Sequence, residues 1–215
     1  MINLSKPIGR LHVITDTTTQ KRFSHAQLAE LAISGGADTI QFRQKNTSTR
    51  ELIETAKQLR SICRSEDIPL LINDRADIAI SVSANGAHFG QDDLPIHFAR
   101  KILTNQSIIG ASARSEDKIL QAVSEGADYI GFGPIFATHS KSDAEVPKGL
   151  KNLERMTKLV DCPIIAIGGI TLDRISEVLM AGAYGVAVIS AVCQSRDPKQ
   201  ATIELMAEIE KGVGK

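Results

Sequence analysis

Short apolar runs separated by helical segments recur eight times along this chain of 215 residues. Runs of this length are typical of parallel strands that are buried on both faces. The predicted strands are residues 11–15, 39–42, 69–72, 87–89, 108–111, 129–132, 164–167 and 186–189. Eight strand–helix units with short connections predict one α/β domain over residues 1–215, a (β/α)8 TIM barrel with parallel strands. An open doubly wound sheet also alternates, but no G-x-G-x-x-G motif follows the first run.

Capping signals mark where the intervening helices begin and end. Ser24 with Gln27, and Ser48 with Glu51, have the spacing of a capping box, in which two residues satisfy each other's backbone N–H groups. Glycine tolerates the left-handed backbone conformation that closes many helices. Such a glycine precedes a strand at three predicted helix ends, at Gly36, Gly126 and Gly182.

Composition argues against several classes of partner. Lys plus Arg and Asp plus Glu both number 25, so no global field attracts nucleic acid or an anionic membrane. No apolar stretch approaches the length of a membrane span or of a signal peptide. The three cysteines are far apart and form no C-x-x-C pair, which favours reduced thiols over disulfides or zinc. We therefore expect a cytoplasmic protein with small-molecule partners, no nucleic acid and no membrane; a homo-oligomer stays open.

Two groups of acidic residues follow neighbouring predicted strands. Asp74 lies in Asn73-Asp74-Arg75, and Asp93 lies in Gly90-Gln91-Asp92-Asp93. The carboxyl ends of parallel strands meet at the same end of a barrel, where two carboxylates suit Mg²⁺. The same residue types are common in surface turns, so this pattern alone leaves a turn and a metal site open.

Three polar residues with the same parity end the second predicted strand. Gln41, Arg43 and Lys45 alternate with other residues, so all three should face the barrel interior. Buried charge needs partners, and an anionic substrate would provide one. The alternative is an ion network in which Arg43 and Lys45 pair with Asp74 or Asp93.

Glycine turns after the seventh and eighth predicted strands indicate a phosphate site. Gly168-Gly169 and Ile189-Ser190 occupy the position where barrels often bind phosphate through backbone N–H groups. Residues 191–194 leave room for a short extra helix. The long connection 137–149 contains hydroxyls and lysines and is either a binding loop or a solvated one.

The chain lacks the signals of covalent catalysis. No histidine has the spacing of a zinc site or a catalytic triad, and Ser112 lacks the G-x-S-x-G turn of a hydrolase nucleophile. His88 is expected to be a satisfied core residue. The residues alone thus predict a barrel with two anion sites and two substrates, one of which carries a departing diphosphate.

The chain resembles the thiamine phosphate synthase family nearly from end to end. The resemblance is carried by Q-x-R-x-K at 41–45, N-D-R at 73–75, H-x-G-Q-x-D at 88–93, G-x-S at 110–112, G-P-I-F-x-T-x-S-K at 133–141 and I-G-G-I at 167–170. This family joins hydroxymethylpyrimidine diphosphate to hydroxyethylthiazole phosphate and releases pyrophosphate, through a substitution regarded as dissociative. The resemblance implies a Mg²⁺-dependent transferase.

The resemblance also implies roles for individual residues. Asp74 and Asp93 would ligate Mg²⁺. The pyrimidine diphosphate would be bound by Gln41, Phe42, Arg43, Gln44, Lys45, Asn73, Ser112 and Lys141. Arg43, Lys45, Ser112 and Lys141 would be the catalytic residues of this group. The thiazole phosphate would be bound by Thr138, His139, Ser140, Gly169, Ile189 and Ser190.

Two residues depart from the family pattern, and two alternatives remain. Arg114 stands where the family often has histidine, and Ser140 stands where it often has threonine. A thiazole tautomerase of the same superfamily is one alternative, although it needs no diphosphate clamp. A non-catalytic, phosphate-binding regulatory barrel is the other, although every expected acid and lysine is present.

Overall fold

Eight short apolar segments form a closed parallel barrel. The computed structural model describes residues 6, 8–18, 20–138 and 146–213. Each strand in this part of the chain pairs with its neighbours in sequence, and the last pairs with the first. The strands are β1 (Leu11–Thr15), β2 (Thr39–Phe42), β3 (Leu70–Asn73), β4 (Gly86–Phe89), β5 (Ile108–Ala113), β6 (Tyr129–Phe132), β7 (Ile164–Ile167) and β8 (Gly185–Val188). The predicted fold class is confirmed, whereas the extent of one domain over 1–215 stays a prediction.

Helices connect the strands, and both predicted capping boxes are present. Ser24 Oγ accepts a hydrogen bond from the Gln27 N–H at 3.2 Å, and Gln27 Oε1 accepts one from the Ser24 N–H at 2.9 Å. Ser48 and Glu51 make the same exchange. The helices are α1 (His25–Ser34), α2 (Thr49–Ser65), α3 (Ala76–Ser81), α4 (Ile96–Ile102), α5 (Glu116–Ser124), α6 (Gly149–Thr157), α7 (Ile175–Met180), α8 (Ser190–Cys193) and α9 (Pro198–Val213), with a 3₁₀ turn at Leu172–Arg174. In the described part of the chain, no helix has the length and apolar character needed to cross a membrane.

The short helix expected after the eighth strand is α8. The three glycines expected at helix ends also adopt the left-handed conformation, with φ of 96° at Gly36, 98° at Gly126 and 90° at Gly182. Local sequence signals therefore fix both the starts and the ends of several helices.

Strand residues alternate between two apolar clusters. Leu11, Val13 and Ile40 belong to the large cluster between the strands and the helices. Ile14 and Tyr129 belong to the smaller cluster inside the barrel. Gly110 leaves the space that the Tyr129 ring occupies, because a Cβ atom there would overlap with the ring. This alternation turns the other parity of each strand towards the barrel axis.

Three polar residues each lie just before an even-numbered strand. Each of them accepts a hydrogen bond from a backbone N–H group near the start of the preceding strand. Asp38 accepts from Leu11 at 2.9 Å, Asn85 from Leu70 at 3.0 Å, and Asp128 from Ile109 at 2.7 Å. These bonds satisfy donors that would otherwise be left unpaired at the amino end of the barrel. They hold the strands in register at the end opposite to the predicted site.

We expect Asp128→Ala to lower the free energy of unfolding by about 2–4 kcal/mol, because a partly buried ion pair loses one partner. Its carboxylate accepts from Lys6 Nζ at 2.9 Å and from Arg100 Nη2 at 2.7 Å as well as from the Ile109 N–H. Asn85→Ala removes the bond from the Leu70 N–H and a longer one from Arg60 Nη1 at 3.3 Å, but no ion pair, and should cost about 1–2 kcal/mol.

Urea unfolding measures both changes, with the exposed Glu30→Ala as the control. A loss in Asp128→Ala no larger than that in Glu30→Ala would contradict the proposed role of the strand-start acids.

Candidate active site

Polar side chains from β2, β3 and β5 line one cavity inside the barrel. Gln41, Arg43, Asn73 and Ser112 all contribute to its wall. The Gln41 residue is only 3% exposed, and the Arg43 side chain is 11% exposed. Gln41 and Arg43 thus face the same way, as strand alternation predicts. Lys45 lies further out, with its side chain 56% exposed.

Asp74 and Asp93 lie beside one another at the ends of β3 and β4. The pKa of Asp74 is raised to about 6, first because burial disfavours its ionised form and then because Asp93 shares a hydrogen bond with it and repels its charge. Lys45 Nζ, 3.9 Å from Asp74 Oδ2, opposes this rise. Asp93 Oδ2 accepts a hydrogen bond from the Gly90 N–H at 2.7 Å. The two acids therefore form an interacting pair, as their positions on adjacent strands predict.

The acid pair has the chemistry of a partial Mg²⁺ site. Magnesium prefers oxygen ligands and usually takes only one or two carboxylates from the protein, with the rest from water and phosphate. Two adjacent carboxylates that resist joint ionisation also favour a cation between them. Within the described residues, no group of three or more histidine, cysteine, aspartate or glutamate side chains is placed to hold a metal. Asp74 and Asp93 thus fit Mg²⁺ at this end of the barrel, provided that a ligand supplies further oxygens, although neither acid lines the cavity that Gln41 and Arg43 border.

Arg43 pairs with Asp16, which sequence reasoning did not single out. The Asp16 carboxylate is completely buried at the end of β1 and accepts a hydrogen bond from Arg43 Nη1. Sequence reasoning left open an ion network of Arg43 and Lys45 with Asp74 or Asp93. The direct partner of Arg43 is Asp16, although Arg43 also helps to lower the pKa of Asp74. Asp16 shares the parity of His12 and Ile14 on β1, and this parity was the available signal. Lys45 does lie near Asp74, as the ion-network alternative expected.

A second cavity lies between the ends of β5, β6, β7 and β8. Its lining includes all four described residues that the resemblance assigned to the thiazole phosphate: Thr138, Gly169, Ile189 and Ser190. Ser112 borders both cavities and Arg114 borders this one. The two predicted anion sites therefore adjoin at Ser112.

The Gly168-Gly169 turn has a shape that only glycine fits. Its φ angles are 96° and 65°, and a Cβ atom on Gly169 would lie 2.5 Å from the Ala137 carbonyl oxygen. Arg174 Nη1 donates to the Gly169 carbonyl at 2.6 Å, and its guanidinium lies 4.4 Å from the Phe136 ring centroid. Arg174, which sequence reasoning did not identify, therefore fixes this turn from outside the cavity.

His88 connects the barrel interior to Ser112. Its Nδ1 lies 2.9 Å from the Tyr129 hydroxyl and its Nε2 lies 2.9 Å from Ser112 Oγ. Burial strongly raises the pKa of Tyr129, so its hydroxyl stays protonated. His88 is a buried residue with hydrogen-bond partners, as expected, and it orients the hydroxyl of a predicted site residue.

Several predicted site residues are not brought into either cavity. The Phe42 side chain faces away from the barrel axis and packs edge-on against His25, with ring centroids 4.8 Å apart. Gln44 Oε1 is buried and has no hydrogen-bond partner in the described part of the chain. His139, Ser140 and Lys141 lie outside the described residues. The Phe42 side chain therefore lies outside both cavities, and strand parity already separates Phe42 from Gln41.

Comparison with known proteins decides the family. The sequence pattern described as thiamine monophosphate synthase matches residues 11–192. The chain belongs to this family. A thiamine-phosphate synthase from Salinibacter ruber is 50% identical over 205 residues, which cover 95% of this chain and 90% of that protein. One from Chloroflexus aurantiacus is 46% identical and covers 92% of this chain and 91% of its own length.

Solved structures agree with this family membership. A thiamine phosphate pyrophosphorylase from Pyrococcus furiosus has 41% sequence identity and a TM-score of 0.88, covering 95% of this chain and 97% of that chain. A 3-hexulose-6-phosphate synthase superposes with a TM-score of 0.68 at 20% identity, which is a likeness of fold alone.

Asp74 predicts a pH dependence of the free energy of unfolding without added metal. Its pKa rises from 3.8 to about 6 in the folded chain, so the folded state holds this proton more tightly than the unfolded state. The resulting stability is present below about pH 4 and is lost as the pH rises through about 6. Asp74→Asn keeps a residue that tolerates positive φ and should remove this loss.

Urea unfolding between about pH 4 and pH 7 measures the effect, with Asp92→Asn as the matched control. Burial lowers the pKa values of His12 and His25 to about 4. In every variant these histidines therefore raise the free energy of unfolding as the pH rises through this range, which is opposite to the effect of Asp74. Only the difference between two curves therefore reports Asp74. Parallel curves for the wild type and Asp74→Asn would contradict the raised pKa.

Proposed function

We propose that the chain is a thiamine-phosphate synthase, a transferase that joins hydroxymethylpyrimidine diphosphate to hydroxyethylthiazole phosphate and releases pyrophosphate. Family membership and relatives of this name at 46–50% identity support the activity. The single observation that carries it is the pair of adjoining cavities, which share Ser112. One cavity borders an acid and cation cluster, and the other borders a glycine turn. Two cavities of different chemistry suit two different phosphorylated substrates.

The pyrimidine diphosphate binds on the β2–β3–β5 side in this proposal. Gln41, Asn73 and Ser112 offer uncharged polar groups inside the barrel, while Arg43 and Lys45 offer positive charge nearer its mouth. Lys141 would add a further cation from the long connection. Arg43, Lys45, Ser112 and Lys141 act by stabilising the negative charge that develops on the departing diphosphate.

Asp74 and Asp93 hold Mg²⁺ in this proposal. The bound cation would neutralise charge on the diphosphate oxygens. The supporting observation is that the two carboxyl groups share a hydrogen bond and repel each other's charge. A divalent cation would relieve this repulsion.

The thiazole phosphate binds on the β6–β7–β8 side. Thr138, Gly169, Ile189 and Ser190 border that cavity, and the Gly168-Gly169 turn brings backbone close to it. His139 and Ser140 belong to the same proposed subsite through the resemblance. The phosphate would anchor this substrate while its ring reaches towards Ser112.

The reaction needs alignment rather than a base. The C–O bond to the diphosphate breaks with its electron pair leaving on pyrophosphate, and the lone pair of the thiazole nitrogen then forms the C–N bond. An uncharged ring nitrogen carries no proton to remove, so no general base is required. Holding both substrates in adjoining cavities supplies the proximity that the bond formation requires. A cytoplasmic location and a homo-oligomer stay predictions.

An assay of both products tests the activity. The wild type, both substrates and Mg²⁺ should give thiamine phosphate and pyrophosphate in equal amounts. An isomerised thiazole without pyrophosphate would instead support a tautomerase, and binding of both ligands without turnover would support a regulatory barrel.

Asp93→Asn should reduce Mg²⁺-dependent turnover by at least about 100-fold, because the cation's charge stabilisation is worth several kcal/mol. The amide oxygen of the variant can still accept from the Gly90 N–H, so the turn should persist. Asp93→Ala should lose turnover in the same way.

Steady-state turnover across a Mg²⁺ titration gives the measurement, and Asp92→Asn is the neighbouring control. Wild-type activity in Asp93→Asn would remove Asp93 from the metal site while leaving the synthase activity in place.

Gly169→Ala should raise KM for the thiazole phosphate by about tenfold and leave KM for the pyrimidine diphosphate unchanged, because the added methyl displaces one side of the phosphate turn. Gly149→Ala is a matched control, since Gly149 has φ of 74° and, beyond its chain neighbours and its own helix, no atom of the described residues lies within 4 Å of the added carbon. Similar kinetics in the two variants would mean that the Gly169 turn does not shape the subsite.

A further inference from the structure

The segment between β1 and α1 touches the surroundings of both cavities. We call residues 16–18 and 20–24 the connecting segment. Its first residue, Asp16, pairs with Arg43 of the first cavity. Arg22 contacts the carboxyl end of α8, the helix that borders the second cavity. The proposed function gives no role to Asp16 or Arg22, and in the described part of the chain neither residue lines the two cavities.

The first contact fixes Arg43. Asp16 is completely buried, and it accepts from Arg43 Nη1 and from the Thr18 N–H, the latter at 2.8 Å. A buried carboxylate with these partners holds the guanidinium in place before any ligand arrives. Since a guanidinium has five N–H donors, this bond leaves others for a phosphate oxygen.

The second contact fixes the end of α8. Arg22 Nη2 donates to the carbonyl oxygens of Gln194 and Ser195 at 2.9 and 2.6 Å. Helix α8 starts at Ser190, directly after Ile189, and both of these residues border the thiazole phosphate cavity. A four-residue helix has little stability of its own, so contacts at its far end help to decide its position.

Gln20 hydrogen-bonds the backbone around Arg22. Its Oε1 accepts from the N–H groups of Arg22 and Phe23 at 2.7 and 2.9 Å, and its Nε2 donates to the Phe23 carbonyl at 2.7 Å. Gln20 is only 8% exposed. A buried amide that satisfies three backbone groups fixes the turn that presents Arg22.

We infer that Asp16 and Arg22 are positioning residues, one for each of the two substrate subsites. This inference rests on the proposed function. Asp16 sets the position of Arg43 in the diphosphate subsite, and Arg22 sets the position of Ile189 and Ser190 in the thiazole phosphate subsite. Their positions matter because a small misplacement of two reacting groups can cost a large factor in rate.

The two residues should have different kinetic effects. Arg22→Ala should raise KM for the thiazole phosphate about fivefold, with KM for the pyrimidine diphosphate unchanged, since an exposed charged donor is lost. Arg22→Lys keeps a donor and should restore part of the affinity.

Asp16→Asn should raise KM for the pyrimidine diphosphate and lower kcat by about tenfold or more, with KM for the thiazole phosphate unchanged. Gln20→Leu should raise KM for the thiazole phosphate, because it frees the turn that presents Arg22.

Arg196→Ala is the matched control, since Arg196 is an exposed arginine beside the same carbonyl groups. Its kinetics should equal those of the wild type. Calorimetric binding of hydroxyethylthiazole phosphate to Arg22→Ala gives the same comparison without turnover, so a wild type that fails to make product rejects the proposed synthase but still tests Arg22. Urea unfolding confirms that each variant is folded. The inference is overturned if Arg22→Ala matches Arg196→Ala, or if Arg22→Ala and Asp16→Asn change the same KM.

Discussion

Pairing of β8 with β1 is the constraint on which the arrangement of the site depends. The two strands align Leu11 with Val186 and His12 with Ala187, and this register closes a sheet whose other strands pair in chain order. Because all pairs are parallel, every strand delivers its carboxyl end to the same rim. Residues that are more than a hundred positions apart, such as Arg43 and Ile189, thereby come to flank one entrance. The connecting segment after β1 lies at this closure and reaches α8 directly after β8, so it can contact both halves.

The two ends of the barrel use the same residue types for different purposes. At the amino end, Asp38 and Asp128 accept hydrogen bonds from strand N–H groups, so their charges are satisfied within the fold. At the carboxyl end, Asp74 and Asp93 meet each other, and burial with mutual repulsion raises the pKa of Asp74 to about 6. An acid that the fold does not fully compensate is suited to a ligand. Asp16 serves both purposes. Its hydrogen-bond partners lie within the fold, and it also orients Arg43 of the proposed site.

Periodicity predicts the strands, the helix caps and the location of the acid pair, because each depends on residues close together in sequence or on strand parity. The Ser24 and Ser48 capping boxes and helix α8 follow from such local signals. Parity also separates Phe42 from Gln41, although the whole segment 41–45 was assigned to the ligand. The bonds from Arg22 to the carbonyls after α8 could not be predicted, since they join an irregular segment to a turn 172 residues away. Contacts of this kind depend on three-dimensional closure, for which the sequence contains no periodic signal.

Charge balance supports the divalent cation that we propose for the diphosphate subsite. Arg43 and Lys45 contribute two positive charges, whereas Asp16, Asp74 and Asp93 contribute three negative charges when all are ionised. Asp16 pairs directly with Arg43, and Lys45 lies 3.9 Å from Asp74, so both cations act on Asp74 and Lys45 acts more strongly. A diphosphate would be repelled by two ionised carboxylates, and protonation of Asp74 removes only part of that repulsion. A divalent cation between the acids and the phosphate reverses the sign of this interaction. The buried Asp16–Arg43 pair thus orients Arg43 but cancels its charge, and in the proposed function the acid pair would restore positive charge by holding Mg²⁺ with the substrate.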